Sequence, residues 1–143
     1  MSLIWAFDPG VTTGVATWDT ETGELVVSQL LRPELYVVVD AACAEIAHAR
    51  IEAFTITAAT AKKVQVPDPL YVIGYLQYSA WRCDFDVSFS KPADVMSTFT
   101  DVALKRAGMF TPGVPHGVDA TRHLAHFLVS HKLIAARQFL PDR

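Results

Sequence analysis

At 143 residues the chain is long enough to bury one sizeable core, and it reads as a single domain spanning residues 1–143. Its 51% hydrophobic and 19% charged residues exclude a disordered chain, and no apolar run approaches the length of a membrane span. The formal net charge of −3 means that a nucleic-acid partner would have to meet positive charge concentrated locally against the global balance. The N-terminus lacks a basic segment followed by an apolar stretch, which predicts a cytoplasmic protein. Cys43 and Cys83 have no C-x-x-C spacing, so two core thiols are expected rather than a disulfide frame or zinc ribbon.

Residues 3–7, Leu-Ile-Trp-Ala-Phe, are apolar on both faces, as in a central strand covered on both sides. Gly14 to Trp18 reads as a second strand, residues 19–23 as a turn, and a third strand runs from about Leu25 to Leu31. Pro33 opens a helix whose core face is Leu35, Val39, Ala42 and Ile46. Ile51 to Ile56 is predicted as strand four, followed by a polar loop, 57–66, with Lys62 and Lys63. Asp68-Pro69 starts a helix carrying Leu70, Ile73, Gln77 and Trp81 near helical periods. Phe85, Val87 and Phe89 alternate as a fifth strand. Lys91-Pro92 begins a short helix, Thr100 caps another ending at Gly108, and residues 109–117 form a loop. A last helix is predicted from about Val118 to at least Ile134. A three-stranded meander followed by helix–strand crossovers predicts an α/β fold, a mixed sheet with helices on both faces.

Three acids stand out against this frame. Asp8 sits where strand one leaves the core, before the Pro9-Gly10 break. Glu52 interrupts Ile51-Glu52-Ala53-Phe54, and Asp119 begins the last helix, where an acid also suits the helix dipole. Several carboxylates in one pocket are oxygen ligands for a hard divalent cation. On the last helix Ala120, Leu124, Phe127 and Leu128 form the predicted sheet-facing side, with Asp119, Arg122, His123 and His126 on another. His123 lies one turn from Asp119, and His116 precedes it by three residues. His123 and His126 resemble a zinc pair, but no cysteine partner is near enough in sequence to favour zinc.

Phe7-Asp8-Pro9-Gly10-Val11-Thr12-Thr13-Gly14 resembles the first motif of the RuvC-type Holliday junction resolvases, in the ribonuclease H-like superfamily. Ile51-Glu52-Ala53-Phe54 is similar to the family's strand-four glutamate, and His116-Gly117-Val118-Asp119-Ala120 to its last motif. Val118 to His123 is most similar to the phage-encoded branch. The resemblance implies a ribonuclease H-like sheet of order 3-2-1-4-5, which makes strands one and four neighbours. It implies that Asp8, Glu52 and Asp119 bind two magnesium ions, with manganese able to substitute, and that His116 takes the fourth catalytic and metal-binding position. Histidine is a poor magnesium ligand, so His116 is alternatively a group that orients water or contacts phosphate. His123 is a possible support behind these ligands. Residues Pro9-Gly10 to Gly14 are expected to give a tight exit near the phosphate path.

The implied activity is a magnesium-dependent endodeoxyribonuclease that resolves four-way junctions by phosphodiester hydrolysis, with water as nucleophile and two cations in line across the phosphorus. It further implies a homodimer matching a two-fold substrate, in a bacterial or phage-infected cytoplasm. Candidate DNA contacts are Lys62, Lys63, Arg82 and Lys91, with the pair Lys105-Arg106. Alternatives are a nuclease acting on forks, flaps or other branched DNA, and a branched-DNA-binding module without cleavage. Asp-x-Gly-x-Thr also occurs in the phosphate loop of actin-like ATPases and sugar kinases. Those need a second domain, so no nucleotide cofactor is expected.

Overall fold

Alternation along the first strand sets both cores at once. In β1 (Leu3–Asp8) Ile4 and Ala6 join one buried cluster, while Trp5 and Phe7 join another on the opposite face. The computed structural model describes residues 2–61 and 67–143. β2 (Thr12–Asp19) and β3 (Leu25–Leu31) complete an antiparallel meander. Gly23, at φ 71°, makes the left-handed turn between them. The helix α1 (Arg32–Ala42) starts on Pro33 and buries Leu35 and Val39 as predicted. It stops earlier than its apolar spacing implies: a 3-10 turn at Cys43–Glu45 intervenes, and Ile46 is already the first residue of β4 (Ile46–Glu52). Strand four therefore ends at Glu52 rather than beginning at Ile51. After an irregularity beside Ile46, the alternation of His48, Arg50 and Glu52 with buried Ala49 and Ile51 outweighs the helical spacing that reached Ile46.

Beyond β4 come a short α2 (Ala58–Ala61), within the predicted loop, and the long α3 (Asp68–Cys83). Lys62 and Lys63 lie outside the described residues. The buried face of α3 is Val72, Leu76, Ser79 and Ala80; Leu70 and Trp81 of the predicted stripe are 41% and 80% exposed. This helix is apolar around most of its circumference, so spacing alone does not select the side that meets the sheet. β5 (Asp86–Ser90) is an edge strand: Phe85, just before it, is buried, and Phe89 is exposed.

The remaining helices are α4 (Pro92–Val95), α5 (Asp101–Arg106) and α6 (Pro115–Ser130). Thr100 caps α5, its hydroxyl accepting from the Ala103 N–H at 3.2 Å. The helix α6 opens at Pro115, three residues before the predicted start, and ends at Ser130, so His116 occupies its first turn rather than a loop.

The sheet order is β3-β2-β1-β4-β5, with β1–β4 and β4–β5 parallel. One face is covered by α1 and α3, whose Leu35 and Leu76 join Phe7 and Ile51 of the sheet, the other by α6, whose Leu124 joins Ala6 and Ala16. Full burial of each large apolar side chain here contributes about 1.5–3 kcal/mol. The cysteines depart from expectation. Cys43 and Cys83, 40 residues apart, form a disulfide with Cα atoms 5.9 Å apart. The pairing joins the C-terminal ends of two helices on one sheet face, so it leaves no short-range spacing in the sequence. It also runs against the reducing compartment that the sequence predicts, where such bonds are rare.

Candidate active site

Asp8 is the last residue of β1 and Glu52 the last of β4, on adjacent parallel strands paired through Phe7 and Ile51. Carboxyl ends of parallel strands are where open α/β sheets place their ligands. Strand alternation decides the face. Asp8 follows Ile4 and Ala6 on the α6 side; Glu52 follows His48 and Arg50, because Ala49 and Ile51 belong to the α1–α3 core.

The N-terminus of α6 reaches Asp8 because two glycines let it approach. A Cβ on Gly14, whose Cα pairs with Asp8, would stand 1.8 Å from the His116 carbonyl oxygen. A Cβ on Gly117 would stand 2.6 Å from a Val27 methyl. Gly14, expected to ease the exit toward phosphate, is instead the seat for the first turn of α6 within β2. The His116 N–H donates to Gln29 Oε1 at 3.2 Å, and its Nδ1 stands 3.3 Å from Asp8 Oδ2. The His116 side chain is 49% exposed, that of Asp8 only 14%.

Burial, followed by the nearby charges of Glu52 and Asp119, raises the Asp8 carboxyl to about 7, against the lowering effect of its bond to His116. The three acids thus share one electrostatic neighbourhood. Each also has a protein partner. Glu52 Oε2 accepts from His123 Nε2 at 2.8 Å, and Asp119 Oδ1 accepts from Arg122 Nη1 at 2.5 Å. Arg122 in turn donates to Asp101 and to the Phe99 carbonyl, tying the site to α5. With the acids so engaged, no three His, Cys, Asp or Glu side chains among the described residues stand together as a metal cage. The donor set still fits a hard divalent cation. It offers carboxylate oxygens and one imidazole, and a bound cation would relieve the repulsion that raises Asp8.

The structure brings Asp8 and His116 together, and Glu52 and His123. His123 does not share a solvent side with Arg122: it is fully buried, against the sheet. Arg50, Ser88, Ser90 and His48 also reach this region and were missed. Arg50 Nη1 donates to Ser88 Oγ at 2.9 Å, and Ser88 meets His48 Nε2 at 2.7 Å. The available signal was the alternation of His48, Arg50 and Glu52, hidden once strand four was placed too late. Among the basic candidates, Lys91 is exposed and follows Ser90 at the carboxyl end of β5, beside the site. Arg82 is at the far end of α3, paired with Asp40 at 2.5 Å. Lys105 packs over the Phe110 ring, and Arg106 lines a cavity with Arg137 and Asp142, away from the acids.

No protein-family model and no curated protein matches the sequence. Among solved structures, the chain is similar to T. thermophilus RuvC in complex with Holliday junction substrate. The two share 18% identity over 92% of this chain and 96% of that one, with a TM-score of 0.59. It also matches YeaZ from Pseudomonas aeruginosa at 15% identity, over 76% of this chain and 50% of that one, with a TM-score of 0.48. The likeness to RuvC establishes the fold: a ribonuclease H-like, five-stranded mixed sheet of order 3-2-1-4-5.

Proposed function

We propose that this protein is a metal-dependent endonuclease that cuts branched DNA, with the four-way junction as its substrate. The observation that carries the reading is the meeting of Asp8 and Glu52 at the carboxyl ends of β1 and β4 with His116 and Asp119 from the start of α6. A phosphodiester brings negative charge to a site already crowded with it, so the acids need a cation before a phosphate can approach. Asp8, Glu52 and Asp119 would hold divalent cations, two of magnesium or manganese, with His116 as a further ligand or a water-orienting group. Bound there, the cations supply an activated water and offset charge on the leaving oxygen.

The chain's own groups do the rest. The Asp8 carboxylate orients the His116 ring through Nδ1, leaving the exposed edge of that ring toward solvent. Arg122 holds Asp119 and must yield part of that contact when the acid turns to a cation. Exposed Lys91, after Ser90 at the end of β5, would meet the DNA backbone, with Lys62 and Lys63 as further candidates. Support for the junction comes from the fold neighbour, which was captured with a Holliday junction substrate. A two-fold substrate would match a homodimer.

The test is cleavage of four-way junction, fork, flap and linear duplex side by side, in magnesium and in manganese. The reading expects paired cuts in the junction and none in the duplex. Preferential cutting of forks or flaps would move the substrate; no cutting of any DNA would end the nuclease assignment.

A further inference from the structure

Behind Glu52 the sheet and α6 enclose a continuous row of polar groups. Glu52 Oε2 meets His123 Nε2 at 2.8 Å, and His123 Nδ1 meets Ser90 Oγ at 2.6 Å. Ser90 Oγ meets Arg50 Nε at 3.1 Å. His123 is fully buried and Ser90 is 4% exposed. The row is built on rigid elements. Ser90 faces Glu52 across the β4–β5 register, Arg50 precedes Glu52 by one pleat, and His123 comes from the middle of α6. Arg50 is held at its other nitrogens too, donating to Ser88 Oγ and to His126 Nδ1, both at 2.9 Å.

The direction of each bond follows from what each group can do. A guanidinium only donates and an ionised carboxylate only accepts. Arg50 therefore donates to Ser90, and His123 Nε2–H donates to Glu52. Ser90 has one hydrogen and, among the described residues, one place to send it, His123 Nδ1. If His123 Nδ1 carried a hydrogen instead, Ser90 would accept from both sides and its own hydrogen would have no acceptor. An unmade bond in such a buried place costs about 1–3 kcal/mol. One arrangement satisfies every member.

We propose that Arg50, Ser90 and His123 form a one-way donor chain that fixes the His123 ring as its Nε2–H tautomer and pins Glu52 by one carboxylate oxygen, making all three positioning residues for the site. This deepens the nuclease reading and rests on Glu52 being a site carboxylate. Among the described residues Arg50 bonds to Ser88, Ser90 and His126 and reaches Glu52 only through Ser90 and His123; its guanidinium polarises the chain toward Glu52. Groups that orient ligands in this way change cation affinity or activity by about 10–100-fold when removed.

The test combines a spectrum with kinetics. Nitrogen-15 NMR of the wild-type protein should show His123 as the Nε2–H tautomer, and Ser90→Ala should disturb it; this is read whether or not the protein cuts DNA. In single-turnover junction cleavage, His123→Leu should lower the rate by about 10–100-fold with junction affinity unchanged. His123→Gln, which restores an N–H near Nε2, should recover much of the loss. Calorimetry should show weaker Mn²⁺ binding by His123→Leu. Should that variant fail to fold, Ser90→Ala carries the same test, with a smaller loss in the same direction. A wild-type Nδ1–H tautomer, or undiminished cleavage and Mn²⁺ binding in the folded variants, would overturn the chain. Failure of the wild type to cut any DNA would strike the nuclease reading instead, leaving the tautomer result to stand separately.

Discussion

On the α1–α3 side the sheet presents Trp5, Phe7, Val15, Ala49 and Ile51, and the helices meet them with Leu35, Val39, Val72 and Leu76. On the α6 side, β4 and β5 present His48, Arg50, Glu52, Ser88 and Ser90, and α6 meets these with His123 and His126. On β4, the one of these strands that serves both sides, the two sets lie one residue out of phase. The apolar side offers few polar partners: among the described residues the Trp5 indole N–H is buried there without one. The α6 side is polar only over β4 and β5; over β1 and β2 it is again apolar, with Ala6, Ala16 and Leu124. One face is therefore apolar throughout, whereas the other divides into an apolar half and a polar half that carries the candidate site, with Asp8 at the seam between them.

The largest effect should come from breaking the polar half. Glu52→Gln or Asp119→Asn should remove detectable junction cleavage while junction binding persists, as measured by single-turnover assays beside gel-shift titrations. The apolar face should respond in the opposite sense. Cys43→Ser opens a loop of 40 residues and should lower unfolding stability by about 2–4 kcal/mol in denaturant titration, with the cleavage rate of the folded protein unchanged. A loss of cleavage at full folding would show that the two faces are not separable in this way.

Gly14 tests the seam. Gly14→Ala places a methyl group into the first turn of α6, and should cost about 1–3 kcal/mol as the helix moves off β2. Because His116 rides on that turn, cleavage should fall as well, whereas Gly74→Ala, which has open space around it within α3, should leave cleavage unchanged and raise stability by about 0.5–1 kcal/mol.

A smaller effect concerns pH. The folded-state value of Asp8, about 7, lies above its ordinary 3.8, so the folded protein holds that proton more tightly than the unfolded chain. Without divalent cation, stability from this group is present below 3.8 and is lost as pH rises to about 7. In chelator at about pH 8, Asp8→Asn should be more stable than wild type by about 1–2 kcal/mol, allowing for solvent screening, and the difference should vanish near pH 3. Equal stability of the two proteins at both pH values would show that burial and the neighbouring acids do not raise Asp8 in this way.

The mixed sheet was legible in the meander and the crossovers, and its order 3-2-1-4-5 through the family resemblance carried by the Asp8, Glu52 and Asp119 motifs. The three candidate acids stood out as residues, but the pairing of each with the side chain it bonds to did not. His123 looked like a solvent-side histidine because helix periodicity places it next to Arg122; which flank of α6 is covered depends on β4 and β5, which the helix sequence does not contain. Arg50 was hidden by a boundary error of five residues at the start of β4. Alternation is a two-residue signal, and it disappears when a strand is begun at its end. The disulfide was illegible for a different reason: it depends on how α1 and α3 lie side by side, a tertiary fact with no local spacing. The glycine seat at Gly14 was visible as a glycine, yet its function required knowing what lay above it.

The most direct test of the central claim, that Asp8 at the seam is the centre of a cation-dependent nuclease site, is single-turnover cleavage of a synthetic four-way junction by wild type and by Asp8→Asn, in magnesium and in manganese. The account predicts paired cuts by the wild type in either metal, none in chelator, and none by Asp8→Asn, which should still bind the junction. Cleavage by Asp8→Asn at the wild-type rate, or a wild type that leaves the junction intact in both metals, would contradict it.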